Sequence, residues 1–89
     1  MDMRRLVGRN VRRIRLAKSL TQEEFADLSG FSQQYLSDLE RGQRNPTIVT
    51  VFELANALGV SHVDLVAPDG LSRSRPLKLK TSKPKRAIR

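Results

Sequence analysis

The sequence predicts an all-α fold in which five short helices pack into one small body, followed by a basic, flexible tail. Three observations lead there. Apolar residues recur at three- and four-residue spacing in successive segments between Leu6 and Ala67, the period of amphipathic helices and not of strands. Glycines and small hydroxylated residues punctuate those segments where helices stop and start. Residues 71–89 hold eight Lys/Arg, no acid and two prolines, with little apolar surface to bury. A length of 89 residues suits one domain, expected over residues 4–68, with the tail over 69–89.

The first helix is read from "LVGRNVRRIRLAKS", where Val7, Val11, Ile14 and Ala17 form one apolar stripe among arginines. The second opens at Thr21, which with Glu24 makes a capping box: the hydroxyl accepts an orphan amide and the carboxylate reaches back. Phe25, Ala26 and Leu28 supply its apolar side, and Gly30 suits a turn needing positive φ. Ser32 caps the third helix, "QQYLSDLER", with Leu36 and Leu39 inward, Phe31 packing back on it or on its neighbour, and Gly42 as terminator. "GQRNP" reads as a loop.

Thr47 or a neighbour opens the fourth helix, "IVTVFELANAL", whose inner face is Ile48, Val51, Leu54, Ala55 and Leu58. Its β-branched start lowers helix propensity, which burial overrides. Gly59 closes it. Ser61 and Asp64 form a second capping box around "HVDLVA", and Pro68 with Gly70 ends the ordered body.

Composition narrows the function. With no cysteine and one histidine, His62, neither a disulfide framework nor a structural zinc site is expected, and no cofactor is implied. No apolar run approaches the roughly 18 residues of a membrane span, so a cytoplasmic protein is expected. The carboxylates fall on helix ends and outer faces, so no nucleophile, base and oxyanion site assembles. An enzyme is not expected.

The formal charge of +8 is unevenly spread: residues 1–70 balance nine Lys/Arg against nine Asp/Glu, so the tail carries the excess. Within the body, residues 4–18 hold seven basic side chains and no acid. That favours a polyanion, nucleic acid ahead of an anionic membrane; the alternative is that these cations only solvate a helix face. The third helix adds chemistry. With Leu36 and Leu39 inward, Gln33, Gln34, Ser37 and Asp38 take the leading and outer sides. A helix fits the major groove, where Gln pairs bidentately with adenine, Ser serves either role and Asp accepts from cytosine. Exposed Gln and Ser are also ordinary on a solvated helix.

The whole arrangement resembles the Cro/repressor-like, or XRE-type, helix-turn-helix family. The resemblance covers residues 7–66 and is most distinctive in "LTQEEFA", "YLSDLERG", the following "NP" and "LANALGVS". It implies a compact lambda-repressor-like domain in which Thr21–Leu28 is the positioning helix and Gln33–Arg41 the recognition helix, docked as such helices dock in the major groove. By the same resemblance Gln22 meets a backbone phosphate, Gln33 and Gln34 read base edges or the adjacent phosphate, with Gln34 first for a base contact, and Ser37 and Asp38 face the groove. Tyr35, Arg44 and Asn45 meet the DNA backbone, with packing on the second helix as the other reading of Tyr35. Glu40 pairs structurally with Arg15, and Ala26 is the small residue that lets the two helices approach.

Two departures stand out. Asp38 sits where relatives often carry Arg or Lys, so it needs cytosine or an intramolecular partner such as Arg41. Lys18 sits at an often apolar position, so its stem is expected to cover core. The implied function is a sequence-specific regulator of transcription, a repressor acting as a homodimer on an inverted repeat, nucleoid-associated. The expected dimer contact is surplus apolarity at Val60, Val63, Leu65 and Val66. Alternatives are the DNA-binding antitoxin of a toxin–antitoxin pair, with a toxin as partner, or a protein-interaction module of the same fold that does not bind DNA.

Overall fold

The computed structural model describes residues 2–68. Five helices run through them: α1 (Met3–Ala17), α2 (Gln22–Ser29), α3 (Gln33–Glu40), α4 (Ile48–Leu58) and α5 (His62–Val66). The tail expected over 69–89, Gly70 included, lies outside the described residues.

Local chemistry sets the boundaries. Asp2 starts α1 earlier than the apolar stripe suggests, its carboxylate accepting from the Arg4 N–H at 3.0 Å. The Thr21 hydroxyl accepts from the Glu24 N–H at 3.0 Å while the Glu24 carboxylate accepts from the Thr21 N–H at 2.9 Å. This reciprocal box is the expected start of α2. Ser32 and Thr47 cap α3 and α4 through the Tyr35 and Thr50 amides, each at 3.0 Å. Ser61 caps α5 differently: its hydroxyl accepts from the Val63 N–H at 3.1 Å, one residue before the Asp64 amide that a capping box would use.

α1 ends without a glycine. Ser19 takes the left-handed conformation with φ 59°, which costs an L-residue roughly 1–2 kcal/mol. The turn is held by the Leu20 N–H donating to the Arg15 carbonyl at 3.1 Å.

The core is built from Val7, Val11 and Ile14 of α1, Phe25 of α2, Leu36 and Leu39 of α3, Val51, Leu54, Ala55 and Leu58 of α4, and Leu65 of α5. α1 crosses α3 and α5, while α2 packs on α3 and α4. Burying each large apolar side chain stabilises the fold by about 1.5–3 kcal/mol. Several expected core positions stay outside. Ala17, Leu28 and Ile48, at the ends of their helices, are exposed. Lys18 is also exposed; its backbone caps α1, and Leu20 packs against the core beside it.

Two contacts of α1 fix the body's geometry. A β-carbon at Gly8 would collide with the Leu39 and Glu40 carbonyl oxygens, so α1 rests its bare backbone on the last turn of α3. Asn10, 1% exposed, donates through Nδ2 to the carbonyls of Leu65 and Ala67, both at 3.0 Å. It thereby satisfies carbonyls at the end of α5 that the short helix cannot pair itself. Asn10→Ala would strand these acceptors and is expected to cost about 2 kcal/mol. Urea unfolding measures that loss, and amide hydrogen exchange should show α5 loosening first.

Candidate nucleic-acid interface

α2 and α3, joined by a tight turn at Gly30 with φ 82°, present their N-terminal ends side by side. Gln22 opens α2, Gln33 and Gln34 open α3, and Ser37 follows one turn on; these four side chains line a single shallow recess of about 240 Å³. Gln33 and Gln34 are exposed, while Ser37 and Gln22 are half-buried. Leu36 and Leu39, both fully buried, hold α3 so that this polar row faces outward.

Asp38 is only partly exposed and is densely paired. Its Oδ1 accepts from Gln34 Nε2 at 2.9 Å and from Arg41 Nη2 at 2.6 Å. Its Oδ2 accepts from Arg44 Nη2 at 3.2 Å and Nε at 3.3 Å. Arg41 Nη1 also donates to the Ser37 hydroxyl at 2.6 Å. The Arg44 guanidinium lies 5.1 Å from the centre of the Tyr35 ring, and that ring stacks on Phe31 at 5.2 Å with 19° between planes. Tyr35 is thus packed on the residue before the α3 cap, on one side, and covered by a cation on the other. Burial pushes its phenol above the ordinary value, with the Arg44 charge pulling the other way, so the hydroxyl stays a donor at neutral pH. Asn45 is exposed and borders a different recess, with Met3, Arg4 and Pro46.

Behind the polar row, Arg15 and Glu40 form a bidentate ion pair. Nε donates to Oε2 at 2.7 Å and Nη2 to Oε1 at 3.0 Å, and Nη1 donates to the Leu20 carbonyl at 2.8 Å. Gln22 Nε2 donates to the same Glu40 Oε1 at 3.1 Å. The side chain expected to meet phosphate is therefore oriented by the ion pair, with its second N–H and its carbonyl still available.

Two cations join this face: Arg41, expected on the recognition helix, and Arg12, which was not expected there. Arg12 and Arg41 line a polar notch of about 160 Å³ together with Arg15, Gln22, Ser37 and Glu40. The signal for Arg12 was legible: it precedes Arg15 by three residues on the same helical face. If Arg15 meets the recognition helix, so does Arg12.

A second surface is apolar. Ile48, Val49 and Phe52 of α4 and Val63 and Val66 of α5 are all exposed large hydrophobics. With Val51 and His62, most of them frame a recess of about 530 Å³, and the Phe52 and His62 rings lie 6.2 Å apart. The surplus apolarity expected at the last helix is placed differently: Leu65 is fully buried in the core and Val60 is half-buried. The first turns of α4 supply the difference, because the core reaches that helix only from Val51 onward. Among the described residues no helix is long and apolar enough to cross a membrane.

Two packed helices at a glycine turn, with a polar row leading the second, define a helix-turn-helix DNA-binding module. Residues 11–65 match the family HTH_3, described as Helix-turn-helix. The chain belongs to this XRE-type family of transcriptional regulators, and by class it is a sequence-specific DNA-binding regulator. It is 69% identical over 68 residues to y4dJ of Sinorhizobium fredii, an uncharacterized HTH-type transcriptional regulator, covering 76% of this chain and 88% of the relative. A hypothetical transcription factor from Neisseria superposes with a TM-score of 0.76 at 32% identity, over 82% of this chain and 84% of that one. The restriction-modification controller protein C.Esp1396I, solved as a tetramer with its natural 35 base-pair operator, superposes at 0.68 with 34% identity, over 73% and 86% of the two chains.

The ion pair at the heart of this face is expected to behave as a buried pair does. Glu40→Ala leaves Arg15 charged and unpaired and should destabilise the fold by about 3–5 kcal/mol, whereas replacing both partners with apolar residues of similar volume recovers most of that loss. Denaturant midpoints of the single and double variants check it.

Proposed function

We propose that the chain is a repressor that binds an inverted-repeat operator as a homodimer and reads the major groove with α3. The observation that carries this is the recess formed by Gln22, Gln33, Gln34 and Ser37: four neutral hydrogen-bonding side chains at the leading edge of a helix, flanked by Arg12 and Arg41. Gln34 and Gln33 have the amide pair that matches adenine, and the Ser37 hydroxyl serves donor or acceptor edges. Gln22, Arg44, Asn45 and the Tyr35 hydroxyl are suited to phosphates, contacts that set register without carrying sequence information. Occupying an operator of this kind represses by excluding polymerase.

The second copy of the chain is assigned to the apolar face of α4 and α5. Ile48, Val49, Phe52, Val63 and Val66 together leave an exposed apolar face, the kind of surface that marks a contact between protein chains. Two-fold pairing would set two recognition helices about 34–36 Å apart, one turn of duplex. Support comes also from the C.Esp1396I relative, whose tetramer was solved on its operator. The same face favours the antitoxin reading, in which a toxin covers it; an antitoxin, PezA of Streptococcus pneumoniae, is 33% identical over 64 residues.

Selection of bound duplexes from a random pool is expected to return a palindrome. Gln34→Ala should weaken binding to it by about 1–3 kcal/mol and relax one position in each half-site. Binding that enriches no sequence and ignores this change would rule the reading out. Phe52→Glu places a charge on the exposed apolar face, and sedimentation should show monomers that keep their helical circular dichroism. Unchanged self-association in that variant would move the dimer contact elsewhere, and a monomeric wild-type chain would favour the toxin.

A further inference from the structure

We infer that Asp38 reads no base and acts instead as the positioning residue of the interface, its carboxylate fixing Gln34, Arg41 and Arg44 in one arrangement before a duplex arrives. This deepens the assignment of α3 as the recognition helix and rests on it.

Capacity comes first. A carboxylate offers about four acceptor directions. Asp38 spends them on four N–H donors from three side chains: Gln34 and Arg41 at Oδ1, Arg44 twice at Oδ2. The exocyclic amine of a cytosine would have to displace a guanidinium to be read. Charge points the same way. A bare carboxylate entering the groove is repelled by the phosphates on either side, but with Arg41 and Arg44 paired to it the cluster is net positive. The departure from Arg or Lys at this position is thus answered by two arginines brought to it.

The geometry also decides what its neighbours offer. Carboxylates only accept, so the Gln34 amide must turn its nitrogen toward Asp38. One N–H is used there at 2.9 Å, which leaves the other N–H and the carbonyl free for a base edge. That is the pair adenine N7 and N6 require. Ser37 is treated similarly: its oxygen accepts from Arg41 at 2.6 Å, so its own hydrogen is the group left to donate. Arg44, laid over the Tyr35 ring, is kept at the phosphate edge of the helix.

Arg41 and Arg44 remain about half exposed, and ion pairs of that exposure contribute little to folding. Their consequence lies in order. Immobilising flexible side chains at an interface opposes binding, and a cluster already assembled has less to lose.

Asp38→Asn keeps the shape and one acceptor for Gln34 but releases both guanidinium groups. Three measurements on the full chain test the role. In duplex selection, the Asn variant is expected to relax the motif at several positions together and to lose about tenfold in affinity for the wild-type site. On a duplex of unrelated sequence it should bind more tightly, with a salt slope steeper by about one phosphate contact. In the DNA-free protein, side-chain nitrogen relaxation should show Arg41 and Arg44 guanidinium groups ordered in the wild type and mobile in the variant, with thermal unfolding little changed.

A motif altered only at one C·G pair would make Asp38 a direct reader and overturn the positioning role. Guanidinium groups equally mobile in both proteins would overturn it without any DNA present. A wild-type chain that enriches no motif, with those groups ordered, would instead sink the assignment of α3 and take the positioning role with it.

Discussion

The bidentate pair between Arg15 and Glu40 is the interaction on which the DNA-facing side depends. It joins the middle of α1 to the end of α3, and through Gln22 it reaches the start of α2. Arg15 also donates to the Leu20 carbonyl, so one guanidinium holds the turn that links α1 to α2. A buried pair is poor evidence for net stability, since desolvation offsets much of the attraction. Its effect here is to exclude other arrangements. Any rotation of α3 about its axis would leave two nearly buried charges without partners. Gly8, resting on the last turn of α3, removes the remaining freedom by bringing backbone against backbone.

That constraint lets a very short helix carry a polar face. Eight residues are too few to hold a helix in water, and α3 buries only Leu36 and Leu39 fully, with Tyr35 packed partly against the core. The Ser32 cap and Glu40 secure its two ends, and the left-handed Gly42 that follows stops it. Between them, Gln33, Gln34, Ser37 and Asp38 are relieved of any packing duty. The polar row thus costs the fold little, because its anchoring is done by two leucines, a cap and an ion pair.

How much of this was legible follows from how local each feature is. The boxes and caps at Thr21, Ser32 and Thr47 were readable because cap and amide lie within three residues of each other, and Gly30 and Gly59 mark their helix ends for the same reason. The start of α1 was missed because Asp2 stands ahead of the apolar stripe, and its end because Ser19 carries a strained backbone with no glycine to announce it. Periodicity gave each helix its inner side but not the length over which a neighbour covers it, which is why Ile48, Leu28 and Ala17 lie in water while Leu65 lies in the core. Asn10 and Gly8 depend on chain segments meeting in space, and nothing in their local sequence encodes that; the Arg41–Asp38 pair, three residues apart, was expected, whereas Arg44 reaches Asp38 from the following loop. The pairing of Arg15 with Glu40 was expected from family resemblance, not from spacing.

The recess of Gln22, Gln33, Gln34 and Ser37 and the apolar face of Ile48, Val49, Phe52, His62 and Val66 have no side chain in common. A substitution that rewrites one leaves the chemistry of the other untouched. Effects of changes in the two regions should therefore sum, as they do for distant sites without shared partners. Lineages carrying this scaffold can drift toward new target sequences while keeping the same mode of assembly, or exchange assembly partners while keeping their targets.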